Sequence, residues 1–158
     1  LIEAVAKLNQ SGLEAEFTIA GDGNLMEELQ TLAKNLGIAE HVHFLGNVSS
    51  EKMPEVYRKH HLFVMASLHE GMSNAMLEAM ACGLPIITSS CEGVEELIDN
   101  NGVVLGNVSR ETVAETIENL IQDPLRLKIL AEKAREKTLT FTWYSIAKSY
   151  VELYTKIV

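Results

Sequence analysis

The chain has 158 residues, of which 47% are apolar and 22% are charged, and its formal net charge is −9. This length fits one ordinary domain with a full hydrophobic core and leaves no room for two. The negative charge argues against a broad nucleic-acid or anionic-membrane surface, because both need clustered Lys and Arg, so we expect no nucleic-acid partner.

The first part of the chain predicts a helix, a short strand and a second helix. Residues 1–8 (LIEAVAKL) have apolar side chains at helical spacing with no initiator Met and no capping residue ahead, so we expect a chain cut inside a larger protein. Residues 17–20 (FTIA) predict a short β-strand that ends at the turn residues 21–23 (GDG). A helix follows this turn, with Asn24 as a polar N-cap and Gly37 as the left-handed residue beyond its end.

The same unit of strand and helix then repeats. We expect strands at 42–45, 62–65, 85–88 and 102–105, and helices at about 50–58, 74–82 and 95–98. Strands that alternate with helices are joined by right-handed crossovers. This order therefore predicts an α/β domain with a Rossmann-like open parallel sheet flanked by helices.

Helices fill the rest of the chain. One carries Val113, Ile117 and Leu120 on a single face, and the next begins at Asp123-Pro124, a cap followed by a first-turn proline. The last begins near Thr142 and carries one wide apolar stripe: Trp143, Ile146, Ala147, Tyr150, Val151, Tyr154 and Ile157. We favour packing of this stripe against the domain's own sheet, and the alternative is that it covers a partner domain.

Several negative signals limit the range of functions. No apolar run approaches the roughly 20 residues that span a bilayer, and no basic segment leads into a signal-peptide core, so we expect a cytoplasmic protein. Cys82 and Cys91 are interpreted as buried free thiols. His41 and His43 are interpreted as surface residues, because no third ligand is obvious nearby, and we expect neither a metal site nor a cofactor.

The loop after the 62–65 strand carries the strongest functional signal. In an open parallel sheet, ligands bind at the carboxyl ends of the strands, where loops lead into helix N-termini. Here Glu70 and Gly71 precede the free backbone N–H groups of a helix start, and Glu78 lies about one turn inside that helix. The amides can hold a phosphate, and the carboxylates can accept hydrogen bonds from sugar hydroxyls. Taken alone, the pair fits two solvent-facing glutamates equally well.

The residues around this pair carry a family resemblance. Residues 70–85 (EGMSNAMLEAMACGLP) resemble the E-x7-E donor site of the retaining GT-B glycosyltransferases of family four, the glycosyl transferases group 1. Four further segments look like landmarks of that family's C-terminal domain, in order: 20–23, 42–48, 92–98 and 141–143. The resemblance implies that residues 1–158 form one nucleotide-sugar-binding domain of a longer two-domain enzyme.

The resemblance also implies roles at the sugar end of the donor. Glu70 would be the catalytic residue, in contact with the donor hexose near its reacting face. The backbone of Gly71, Met72 and Ser73 would hold the sugar hydroxyls and the attached phosphate. Met72 departs from the family, which usually has an aromatic residue there, so the identity of the sugar stays open.

At the nucleotide end, the resemblance implies three further contacts. Asn74 would donate its backbone N–H to the diphosphate, Glu78 would accept hydrogen bonds from the ribose hydroxyls, and the main chain at Val48 would meet the base. The nucleotide and the hexose are not determined by these residues.

The implied reaction is transfer of a hexosyl group from a nucleoside-diphosphate sugar to an acceptor hydroxyl, without a metal and with the anomeric configuration retained. The acceptor, a glycan or a lipid-linked glycan, would bind a separate N-terminal domain, and peripheral membrane association of the parent protein is left open. In this family an Arg and a Lys that neutralise the leaving diphosphate lie just before the stretch resembling 1–8, so we expect the isolated domain to be inactive. The alternative is a non-catalytic α/β module that senses nucleotide sugars or binds another protein.

Overall fold

The computed structural model describes residues 1–67 and 72–157 of the chain. Its strands are β1 (Phe17–Ala20), β2 (Val42–Gly46), β3 (Phe63–Met65), β4 (Ile86–Ser89) and β5 (Gly102–Leu105). Its α-helices are α1 (Ile2–Gln10), α2 (Met26–Asn35), α3 (Met53–Tyr57), α4 (Asn74–Ala81), α5 (Val94–Leu97), α6 (Arg110–Ile121), α7 (Pro124–Thr138) and α8 (Trp143–Ile157). The predicted alternation of strands and helices is confirmed, with boundaries that differ by at most three residues.

All strand pairs of the described residues are parallel. β1 pairs with β2 from Phe17 opposite Val42, and β3, β4 and β5 pair in that order. A side-chain bridge joins the two groups of strands: His60, just before β3, accepts at Nε2 from the Thr18 hydroxyl on β1 at 2.8 Å and donates at Nδ1 to the Val56 carbonyl at 2.7 Å. The predicted parallel α/β class is confirmed, although the hydrogen-bonded ladder is divided into two and three strands.

β4 lies at the centre of the core because helices cover both of its faces. Ile86 and Ile87 are both fully buried, and successive side chains of a strand point to opposite faces. Ile87 packs in a cluster with α1 and α6, whereas Ile86 packs in a second cluster with α4 and α7. Burial on both faces explains why all four residues of this strand are buried and why two apolar residues, Ile86 and Ile87, stand side by side instead of alternating with exposed ones.

The residues that begin and end the helices are mostly as predicted. Gly37 has a φ of 72°, and Asp123 accepts a hydrogen bond from the Arg126 N–H at 3.0 Å at the start of α7. The prediction for Asn24 is wrong, because Leu25 occupies the N-cap position of α2 and no side chain caps it. The Met26 N–H bonds the Gly23 carbonyl instead, so Asn24 is taken up in a turn before the helix.

The favoured prediction for α8 is also wrong. Trp143 is 90% exposed and Tyr154 is 63% exposed, and the tyrosine rings at 150 and 154 contact each other instead of the sheet. The physical reason is that other helices, among them α1, α6, α4 and α7, already cover the two faces of β4, so this central strand offers α8 no free face. Within the described ranges, no helix combines the length and apolarity needed to cross a bilayer.

The thiols and surface histidines differ little from expectation. Cys82 and Cys91 are free thiols, although both are half-buried instead of fully buried. His41 and His43 both contact Glu16, at 3.4 and 2.5 Å. The hydrogen bond from His43 contributes most to lowering the pKa of the Glu16 carboxyl below its ordinary value. Among residues 1–67 and 72–157, no group of three or more His, Cys, Asp or Glu side chains is arranged to hold a metal ion.

Candidate functional site

The predicted site residues fall into three groups in the structure. Glu70 and Gly71 lie outside the described residues. Met72, Ser73, Asn74 and Glu78 lie on α4 or in the residues that lead into it, and Val48 is half-buried in the loop after β2. The structure therefore brings four of the seven residues together around one helix, and the contact of Val48 with a base stays a prediction.

Ser73 begins α4 and ties it to the neighbouring strand. Its Oγ accepts a hydrogen bond from the Met76 N–H at 3.4 Å, and its hydroxyl donates to the Met65 sulfur at 3.5 Å. Met65 is the last residue of β3, and Ser73 is only 7% exposed. A buried serine N-cap at this point holds the helix start directly at the carboxyl end of the strand.

The helix start presents donors to the solvent. Met76 and Leu77 have their N–H groups bonded to Ser73, whereas no group in the described part of the chain accepts from the N–H of Asn74 or Ala75. Asn74 and Ala75 are both exposed. Because the first N–H groups of a helix carry partial positive charge, this end of α4 can bind an anion such as a phosphate.

Glu78 lies on the same face of α4 as Asn74. Residues four positions apart stack along one side of a helix, and both side chains are exposed, whereas Met76, Ala79 and Met80 are buried on the opposite side. The rise of about 1.5 Å per residue places the Cα of Glu78 roughly 6 Å further along the helix than that of Asn74, and its side chain leans back towards the helix start. One surface therefore offers backbone donors and, one turn on, a carboxylate acceptor.

Tyr57 is a member of the site that the sequence did not reveal. Its hydroxyl donates to Glu78 Oε2 at 3.3 Å, and its side chain is only 6% exposed. Burial, followed by the negative charge of Glu78, raises the pKa of Tyr57 to about 12. The only sequence signal was an aromatic residue near the end of a predicted helix, and nothing local connects it to a glutamate 21 positions later.

The loops after β1 and β2 meet at the same edge of their sheet. The Gly21 N–H donates to the Gly46 carbonyl at 2.8 Å, and both residues have positive φ, 140° and 63°. Residues that carry a side chain rarely adopt these backbone conformations, which explains why both positions are glycine. Val48 follows this junction by two residues, so the candidate base contact lies near the carboxyl end of β2.

Comparison with known proteins gives the family. Residues 1–137 match the family model described as Glycosyl transferases group 1. An uncharacterized glycosyltransferase of Methanocaldococcus jannaschii is 29% identical over 157 residues, which cover 98% of this chain and 40% of that protein. The alpha-D-kanosaminyltransferase of Streptomyces kanamyceticus is 31% identical over 135 residues, which cover 84% of this chain and 35% of that protein. The chain thus spans well under half the length of these relatives.

Solved structures agree on the fold. The C-terminal domain of a glycosyl transferase group 1 family protein from Francisella tularensis superposes with a TM-score of 0.77 at 26% identity, over 89% of this chain and 76% of that domain. An Anabaena protein in complex with UDP superposes with a TM-score of 0.85 at 22% identity, over 99% of this chain and 44% of that protein. The parallel α/β architecture and the family model agree: the chain belongs to the glycosyl transferases group 1 family.

Proposed function

We propose that this chain is the donor-binding domain of a retaining glycosyltransferase that transfers a hexosyl group from a nucleoside-diphosphate sugar to an acceptor hydroxyl. The observation that carries the proposal is the exposed start of α4, where two backbone N–H groups lie one helical turn from the Glu78 carboxylate. A diphosphate needs such donors, and the hydroxyls of the attached ribose need such an acceptor.

Relatives whose descriptions name a donor or its nucleotide support this class of ligand. A mannosyltransferase of Mycolicibacterium smegmatis, 28% identical to this chain, is described as GDP-mannose-dependent. The Anabaena protein has been solved with UDP-glucose as well as with UDP. Because these donors differ in base and in sugar, they support a nucleoside-diphosphate sugar without favouring one base or one hexose.

We assign the remaining roles on the same proposal. Glu70 contacts the hexose near its reacting face, the backbone of Gly71, Met72 and Ser73 holds the sugar hydroxyls and the adjoining phosphate, and the main chain at Val48 meets the base. The departing diphosphate assists deprotonation of the acceptor on the same face of the sugar, so no protein nucleophile is assigned.

The whole enzyme needs more than this chain on our proposal. A second, N-terminal domain binds the acceptor, which is a glycan or a lipid-linked glycan. The parent protein acts in the cytoplasm, either free or at the cytoplasmic surface of the membrane. Cationic groups that neutralise the leaving diphosphate also come from outside residues 1–158. Since stabilisation of developing charge is usually the largest catalytic contribution, the isolated domain binds donor but does not turn it over.

One observation favours a second candidate, a non-catalytic binding module. The aromatic face of α8 is exposed, and exposed apolar patches often mark protein-binding surfaces. Such a module could keep the fold and use α8 for association, with or without a nucleotide-sugar ligand. Ligand binding at α4 distinguishes the two candidates.

The test is a titration of the 158-residue chain with UDP, GDP and ADP and with their glucose and mannose conjugates. Calorimetry should detect binding of at least one nucleoside diphosphate, and amide NMR signals of Asn74, Ala75 and Glu78 should shift. Glu78→Gln should weaken that binding about tenfold, because it removes a charged hydrogen-bond acceptor.

The matched control is Glu136→Gln, a substitution of the same kind at an exposed position of a different helix, α7. This variant should bind like the wild type. Absence of heat and of amide shifts with every nucleotide would count against the donor-binding domain and in favour of the association module.

A further inference from the structure

We propose that Tyr57 is a positioning residue for Glu78, and that its hydroxyl holds this carboxylate in the orientation that receives the ribose of the donor. The inference rests on the proposed function, because it concerns the same site. The hydrogen bond from the Tyr57 hydroxyl to Glu78 Oε2, at 3.3 Å, is the observation from which it starts.

The ring of Tyr57 is fixed by its surroundings. It meets the ring of Phe63 edge to face, with centroids 6.0 Å apart and planes at 66°. It also belongs to the core cluster that contains Met76, Met80 and Ile86. A packed ring of this kind keeps its hydroxyl at a defined place beside α4.

Glu78, in contrast, has an exposed side chain that would otherwise be free to rotate. A glutamate that is ordered only when ligand arrives loses rotamer entropy at that moment, which weakens binding. With Oε2 held by Tyr57, Oε1 stays available to accept from a ribose hydroxyl. The phenol therefore prepares the carboxylate for its ligand before the ligand binds.

The protonation states suit this arrangement. With its pKa raised to about 12, Tyr57 keeps its proton throughout the neutral range and acts as a hydrogen-bond donor. If the Tyr57 hydroxyl had a purely structural role, as a buried polar group that needs a partner, its loss would change the stability of the domain and not its affinity for ligand. Ligand affinity is therefore the property that separates positioning from a purely structural role.

The central experiment is Tyr57→Phe, which keeps the buried ring and removes the hydroxyl. We measure affinity for the ribonucleoside diphosphate that the wild type binds best and for its 2′,3′-dideoxy counterpart. Affinity for the ribonucleotide should fall about three- to tenfold, as expected for weakening one charged hydrogen bond, whereas affinity for the dideoxy compound should not change. Tyr144→Phe, on the exposed face of α8, is the control and should match the wild type.

Equal losses for both nucleotides, or no loss for either in a folded Tyr57→Phe variant, would overturn the proposal. A second measurement needs no ligand: Glu78→Gln, which leaves the ring packing intact, should shift the NMR signals of the Tyr57 ring, whereas Glu136→Gln should not. If the NMR signals of the Tyr57 ring do not shift in Glu78→Gln, the contact does not exist in solution and the inference fails. This measurement does not require that the Tyr57→Phe variant folds.

The two proposals fail in different ways. If no nucleotide binds the wild type while the Tyr57 ring still responds to Glu78→Gln, the donor-binding function fails and the positioning role fails with it, although the contact is real. If nucleotide binds normally and Tyr57→Phe has no effect on ribose discrimination, the positioning role alone fails.

Discussion

At the scale of the residue, Ser73 has two connected effects. Its Oγ caps α4, and the same cap sets the orientation of the neighbouring free N–H groups of Asn74 and Ala75. Ser109 caps α6 in the same way, accepting from the Thr112 N–H at 3.1 Å, but lies on a different helix from the candidate site. The pair therefore offers a matched comparison between a cap at a ligand site and a cap elsewhere.

We expect Ser73→Ala and Ser109→Ala each to lower the free energy of unfolding by about 1 kcal/mol, the usual cost of losing a serine N-cap. Urea denaturation measures this loss. Only Ser73→Ala should also weaken nucleotide binding in calorimetry, because only that substitution disturbs the start of α4. Equal nucleotide affinity in both variants would mean that the α4 amides do not contact the ligand.

At the scale of the element, the close approach of β4 and β5 depends on one glycine. Gly102 lies opposite Ile86 in the parallel register, and a Cβ added there would lie 2.7 Å from the Ile86 carbonyl oxygen and 3.1 Å from its Cβ. Both are shorter than normal contacts, and the first involves backbone that cannot turn aside. A side chain at 102 must therefore push the two strands apart.

Gly102→Ala should lower the free energy of unfolding by about 1–3 kcal/mol, as overpacking of a core does. Gly106→Ala, four residues later, is the control, because an added Cβ there would meet nothing within 4 Å. Urea denaturation of both variants measures the difference. Indistinguishable midpoints would show that β5 can shift away from β4 without cost.

At the scale of the whole molecule, α8 exposes an aromatic face to solvent. Trp143, Tyr150 and Tyr154 of the predicted stripe are all more than half exposed, although their helical spacing is that of a buried face. Other helices already cover both faces of the central strand β4, so the exposure favours the alternative interpretation, in which the stripe covers a partner domain.

Trp143 is the only tryptophan of the chain, so its fluorescence reports on α8 alone. We expect emission close to that of tryptophan in water, ready quenching by acrylamide, and little change on unfolding in urea. Emission shifted strongly to the blue, or a shift that grows with protein concentration, would show that α8 is covered in solution.

Local patterns were sufficient for much of the fold. The alternation of strands and helices, the left-handed Gly37 and the Asp123 cap depend on residues that are near each other in sequence, so the chain alone predicted them. The exposed side of Glu78 on α4 also follows from helical spacing. The family resemblance added the interpretation of residues 70–85, of which Glu70 and Gly71 lie outside the described residues.

Features that depend on distant parts of the chain were decided only by the tertiary structure. The Tyr57–Glu78 contact joins two helices whose relative placement no local pattern encodes, and the Asn24 cap was displaced by a turn closed between backbone groups. The exposure of α8 depends on which helices pack on the sheet, and other helices already cover both faces of its central strand β4. Composition and periodicity thus determined which faces of the helices and strands are apolar, while packing of the whole domain decided which of these faces are buried.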